Sequence, residues 1–206
     1  MLLIVLSPPE STKDEHKTVI SLFNHGLEIF HLRKPGYSFN QMEDYIKAIP
    51  VEFHPRMMIH SHYELAGSYN LKGIHLTEKA RNDVRIKKLL RTFTNKRISA
   101  SFHQLGELKQ SRRKYDYVFL SPIFDSISKN GYKGKFDLQI LSQWIASINM
   151  SRQYLPKIVA LGGSANSNVQ CINEIGFSGI AVLGAVWNNS DPVEAFSAIQ
   201  RAVNQL

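Results

Sequence analysis

The chain has 206 residues, 43% of them hydrophobic and 20% charged, which suits a packed core and argues against disorder. Its one cysteine, Cys171, excludes an internal disulfide and a cysteine-only metal site, and no apolar run reaches the roughly 18 residues of a membrane span. A net charge of +8 attracts anions, either phosphorylated metabolites or nucleic acid. Zinc-finger spacing, RNP aromatics and a recognition-helix pattern are all missing, so the metabolite is the preferred partner.

The opening run Leu2–Leu6 is stopped by Pro8 and Pro9 and has no basic flank, so it reads as a buried strand rather than a secretion signal. With the single cysteine, this predicts a cytoplasmic protein. Helical spacing follows over Asp14–Phe23, then a strand at Glu28–Leu32 and a helix at Phe39–Ile49. A strand at Met57–His60, a short weak helix at His62–Tyr69 and a strand at Gly73–Leu76 come next. The alternation continues with helix Val84–Thr92, strand Ile98–Phe102, helix Gln104–Arg113 and strand Tyr117–Ser121. Helix Leu138–Ile148, strand Ile158–Leu161, helix Asn168–Ile175, strand Gly179–Leu183 and helix Pro192–Val203 complete it. Gly26, Gly73 and Gly176 stand just ahead of strands, where left-handed helix ends are expected.

Strand and helix alternating about eight times predict an α/β fold with parallel strands, a single (β/α)8 TIM barrel forming one domain over residues 1–206. An open doubly wound sheet is the competitor. It would want Gly-x-Gly-x-x-Gly after the first strand, where this chain has Ser7-Pro8-Pro9-Glu10. The paired glycines come instead after the seventh strand, at Gly162-Gly163, and the eighth ends in Leu183-Gly184. Those are the loops with which barrels hold phosphate on backbone N–H groups.

Residues that follow strands form the working rim of a barrel. Here they include Arg33-Lys34, His60-Ser61-His62, His75 through Glu78, Ser101-Phe102-His103 and the long segment after Ser121. This cationic, hydroxyl-rich set suits a phosphorylated ligand and proton transfer. Ser126, Ser128 and Lys129 are candidate contacts to phosphate or pyrophosphate on a lid. His103, at a strand end, is the candidate proton shuttle. His31 and His75 lie in strands and point either into packing or into the barrel. His60 and His62 have the i, i+2 spacing of a chelating pair, but no third ligand presents itself, and no metal is expected.

These stretches resemble the thiamine phosphate synthase/TenI family. The resemblance rests on His31-Leu32-Arg33, Gly73-Ile74-His75-Leu76, Ser101-Phe102-His103, Asp116 through Phe124, Ile158 through Gly163 with Asn166 or Asn168, and Gly179 through Val182. It implies a small phosphorylated thiazole as substrate, a homodimer, and two possible reactions. A synthase joins hydroxymethylpyrimidine diphosphate to thiazole phosphate and expels pyrophosphate with Mg²⁺. A TenI-like tautomerase moves a proton on the thiazole without metal or other cofactor. The paired glycines and the lid hydroxyls place phosphate at Gly162, Gly163, Leu183, Gly184, Ser126 and Ser128. The resemblance places substrate or pyrophosphate at His31, Arg33, Lys34, Ser101 and Lys129. The synthase's two Mg²⁺ carboxylates are absent, since Ser61 and Ala80 stand in their places, leaving only Glu78 as a displaced substitute. On that ground the sequence favours the tautomerase, with His103 as catalyst. A synthase is the alternative, and a non-catalytic binding or regulatory barrel the remoter one.

Overall fold

Strands form where short runs of branched and aromatic residues can be buried on both faces, as parallel strands require. They are β1 (Leu2–Leu6), β2 (Ile29–Leu32), β3 (Met57–Ile59), β4 (Gly73–Leu76), β5 (Arg97–Phe102), β6 (Tyr117–Leu120), β7 (Lys157–Leu161) and β8 (Gly179–Val182). Every residue of β2, β3, β4, β6 and β8 is buried. In this computed structural model the strands close, in sequence order, into one parallel eight-stranded barrel, which excludes the open sheet. The structure describes residues 1–111, 113–125, 134–149 and 156–206, so Ser126, Ser128 and Lys129 lie outside the described residues.

By proximity the residues group into two compact units, Ile4–Ala100 and Met1–Leu3 with Ser101–Leu206. In the first, α1 (Glu15–Asn24) buries Val19, Leu22 and Phe23 on one face. Helix α2 (Phe39–Lys47) starts at a reciprocal capping box of Ser38 and Gln41 and buries Met42, Tyr45 and Ile46. Short helices α3 (Leu65–Ser68), α4 (Glu78–Asn82) and α5 (Val84–Leu89) complete it. The expected helix over Val84–Thr92 is thus a shorter α-helix that tightens into a 3₁₀ turn at Leu90–Thr92. Leu6 pairs with His31, His31 with Met58, Met58 with Gly73, and His75 with Ser99.

The second unit carries α6 (Leu105–Gln110), α7 (Leu138–Asn149), α8 (Val169–Ile175), α9 (Gly184–Trp187) and α10 (Pro192–Asn204). Asp191 caps α10 by accepting from the backbone N–H groups of Val193 and Glu194, and Phe196, Ile199 and Val203 form its buried stripe. Leu120 pairs with Ala160, and Ala160 with Ile180. Among the described residues, no helix is long and apolar enough to cross a membrane.

Gly26 and Gly176 have the left-handed φ expected of helix ends. Gly73 does not. It is the first residue of β4, and a Cβ there would collide with the carbonyl oxygen of Arg97 on β5. Its requirement is close approach of two strands rather than a turn. Gly73→Ala should therefore cost about 2 kcal/mol or more in urea unfolding. Gly67→Ala, in open space on α3, should be neutral or stabilising. Equal effects at the two positions would contradict the close approach.

Candidate functional site

Side chains two residues apart on a strand share a face. His31 is in register with Met58, so His60, two residues on, projects to the same side. Met58 is in register with Gly73, so His75, again two residues on, joins them. The rings meet. His31 Nδ1 lies 2.9 Å from His60 Nε2, His60 and His75 stack at 4.3 Å between centroids, and His31 sits 5.1 Å edge-on from each. His31 and His75 are fully buried, while His60, just past the end of β3, is partly open.

Burial, by removing water from the charged form, is the main force lowering the basicity of all three imidazoles. His75 is pushed down to about 3, with the Arg33 guanidinium as the second cause. His60 is lowered well below its ordinary value by burial, then by His75, His31 and Arg33. The cluster is therefore uncharged at neutral pH and lies within the field of one cation. Arg33 is itself held in place by Ser7, whose hydroxyl accepts from the Arg33 N–H at 2.7 Å and donates to its carbonyl at 3.1 Å.

Lys34 departs from expectation. Assigned above to substrate or pyrophosphate, it is 1% exposed and points the other way, toward α1 and α2. Its Nζ lies 2.7 Å from Glu15 Oε2 and 3.0 Å from the Glu10 carbonyl, over the rings of Tyr37 and Tyr45. Tyr45 donates to the other Glu15 oxygen at 2.7 Å. This ammonium is engaged within the protein and offers nothing to a ligand. The chelating pair suggested by spacing is also absent, because the His62 ring bonds the Tyr37 carbonyl at 2.9 Å while His60 joins His31 and His75.

Carboxylates for Mg²⁺ are no better supplied. Glu78 is exposed in the first turn of α4, and Ser61 and Ala80 bring no charge. Among the described residues, the one group of three or more metal-capable side chains is His31, His60 and His75. Among the described residues no group of carboxylates of the kind Mg²⁺ demands is gathered, so these residues do not fit it.

In the second unit, His103 follows β5 and is half-buried. Its Nδ1 lies 2.9 Å from the Ser121 carbonyl oxygen and 3.3 Å from the Ser121 hydroxyl. A carbonyl only accepts, so Nδ1 carries the proton and Nε2 of the neutral ring holds the lone pair. Ser101 is half-buried on the same strand. Gly162 and Gly163 both have left-handed φ. The segment after β6 lies directly on them: Ile123 N–H donates to the Leu161 carbonyl and Phe124 N–H to that of Gly162, each at 3.0 Å. A Cβ on Gly163 would collide with the Asp125 carbonyl. These glycines therefore have a packing reason of their own. Gly162, Gly163, Leu183 and Gly184 donate none of the turn and loop hydrogen bonds among the described residues. Asn168 braces the turn, donating to the Gly163 carbonyl and accepting from Ala165 N–H, each at 2.9 Å.

The histidine cluster escaped the sequence reading, although its signal was there as one histidine at or just after the end of each of three consecutive strands. Only the register shows that they share a face. A shallow cleft of about 430 Å³ lined by α3 and the segment 89–96 precedes β5 and contains none of these groups.

Two outcomes follow for this unit. Lys34→Met strands the buried Glu15 carboxylate and should cost about 3 kcal/mol in urea unfolding; an unchanged midpoint with a weakened affinity for phosphorylated ligand would restore Lys34 to the site. The unfolded chain protonates His75 below about pH 6.5, whereas the folded ring stays neutral to about pH 3. Stability is therefore complete above that window and lost as pH falls through it, by up to ~1.4 kcal/mol per pH unit for this proton. In chelator-containing buffer, His75→Gln should flatten the dependence of the urea midpoint between pH 7 and 5, and an unaltered slope would assign it elsewhere.

The chain matches the thiamine monophosphate synthase family (TMP-TENI) over residues 2–186. A thiamine-phosphate synthase of Oceanobacillus iheyensis is 30% identical over 151 residues, 73% of this chain and 69% of that protein. The crystal structure of a thiamine phosphate pyrophosphorylase from Bacteroides thetaiotaomicron is similar with a TM-score of 0.80 at 30% identity, covering 99% of this chain and 98% of that one. A Pyrococcus furiosus thiamine phosphate pyrophosphorylase, at 0.77 and 20% identity over 98% and 95%, shares the fold. With the match running through β1–β8 and the histidine and glycine loops described, this (β/α)8 barrel belongs to the thiamine monophosphate synthase family.

Proposed function

We propose that the protein is a thiamine phosphate synthase, joining a hydroxymethylpyrimidine diphosphate to a thiazole phosphate with release of pyrophosphate. The observation that carries this reading is the pair of relatives, each 30% identical, that bear the synthase or pyrophosphorylase name. In the reaction the bond between the pyrimidine methylene carbon and the diphosphate oxygen breaks, and the thiazole nitrogen bonds to that carbon. A diphosphate leaving group carries about three negative charges, which must be balanced as the bond opens. Arg33 is the group assigned to it, as a guanidinium can hold two phosphate oxygens at once. The N–H groups of Gly162, Gly163, Leu183 and Gly184 are assigned to the thiazole phosphate. Ser101 is assigned to substrate or pyrophosphate, whereas His31, fully buried against His60, is not. We take the protein to be cytoplasmic and homodimeric.

The tautomerase expected from the sequence remains as a second reading, favoured by two observations. The Mg²⁺ carboxylates are missing, and Lys34 is withdrawn into an ion pair, which leaves less positive charge for a leaving diphosphate. In addition, the His103 tautomer leaves Nε2 able to take a proton from a thiazole ring carbon and return it elsewhere.

Purified full-length protein, given both substrates with and without divalent metal, should form thiamine phosphate, and Arg33→Gln should reduce the rate by at least 10²-fold. A tautomerisation assay run beside it separates the readings. Tautomerase activity alone, reduced roughly 10²–10⁴-fold in His103→Ala, would overturn the synthase in favour of the second reading. Absence of both activities would remove both.

A further inference from the structure

We propose that His31, His60 and His75 form a binding site for one divalent first-row transition metal ion, with Zn²⁺ the best fit. The site is defined by nitrogen donors alone and stands whichever of the two reactions the protein catalyses. One ring nitrogen from each residue lies within 4.8 Å of the others, and His31 Nδ1 and His60 Nε2 are 2.9 Å apart. Around a tetrahedral zinc with bonds of roughly 2.0–2.1 Å, ligand nitrogens stand about 3.3 Å apart, so small ring rotations bring the three to bonding distance.

The donor type decides which ion. Three neutral imidazoles suit Zn²⁺, Co²⁺, Ni²⁺ or Cu²⁺ and are a poor set for Mg²⁺, which takes oxygen. A metal-bound histidine usually donates its other ring N–H to a fixed acceptor, and His75 has one. Its Nδ1 lies 2.9 Å from the Ser99 hydroxyl, whose own hydrogen points at the Ile74 carbonyl 3.5 Å away. The ring is then the donor at Nδ1 and presents Nε2 to the cluster. His31 and His60 now share a hydrogen bond, which a metal replaces once the shared proton moves to the far nitrogen of its own ring. The proton count does not change.

Three protein ligands leave a coordination position open, as in catalytic rather than structural zinc sites. The nearby Arg33 charge disfavours a bare cation and favours one that also carries an anion. The fourth ligand is therefore expected to be anionic, and a phosphate oxygen is the class that this family's substrates offer.

The experiment uses full-length protein stripped with a chelator and titrated with Co²⁺, followed by competition with Zn²⁺. Expected are one equivalent bound, visible d–d bands typical of four- or five-coordinate Co²⁺, and their loss when Zn²⁺ is added. His60→Asn, changing the partly open ligand, should fold and abolish the bands with at least a 100-fold loss of affinity. His75→Asn should do the same, Ser99→Ala should weaken binding about 10-fold, and His62→Asn should change nothing. Absence of the bands in the parent protein, or bands and affinity unchanged in a folded His60→Asn variant, would overturn the site. So would Mg²⁺ displacing Co²⁺ as readily as Zn²⁺ does.

Discussion

The site depends on one geometric constraint, the stagger of neighbouring parallel strands combined with the two-residue alternation of side chains. His31 sits opposite Met58, two residues before His60, whereas the register of β3 and β4 carried one residue on brings His60 opposite His75. The offsets are two residues and none, both even, and this keeps all three on one face. An offset of one would have sent a ring outward among the helices. Gly73 helps to hold the arrangement, because β4 approaches the Arg97 backbone so closely that no side chain fits there. A backbone requirement at the start of β4 thus sets the height of His75 at its third position.

The same alternation separates two adjacent cations. Arg33 and Lys34 are neighbours in sequence and differ in fate. Arg33 has its backbone clasped by Ser7, and its positive charge disfavours protonation of His60 and His75. Lys34 turns toward α1 and α2, where burial lowers its basicity and the paired Glu15 carboxylate opposes that shift. Burial also raises the Tyr45 hydroxyl well above its ordinary value, with Glu15 reinforcing it, so Tyr45 stays protonated and donates to that carboxylate. One of the two cations therefore joins a strand to two helices.

Family membership and local chemistry meet most sharply over the metal. The family resemblance implies Mg²⁺ on two carboxylates, whereas this chain gathers nitrogen donors at the ends of β2, β3 and β4. Replacing hard oxygen ligands with imidazoles changes which ions can bind and how strongly a phosphorylated ligand is polarised. The glycine turn after β7 has a packing role that the described residues show directly. Gly162 and Gly163 seat the segment that follows β6, and among the described residues their N–H groups donate none of the loop hydrogen bonds.

Sequence alone determined the number and order of βα units, the left-handed ends at Gly26 and Gly176, and the family. All of these are written in local spacing, where a period of two or 3.6 residues and a few turn residues suffice. Its reading of His103 at a strand end depended on the same local signal. Tertiary structure decided what local spacing does not encode: that His31, His60 and His75 meet, that Lys34 pairs with Glu15, and that Gly73 serves a strand contact rather than a turn. Each depends on the register between segments some 15 to 30 residues apart in sequence, and that register is fixed only when the ladder of backbone hydrogen bonds closes into a barrel.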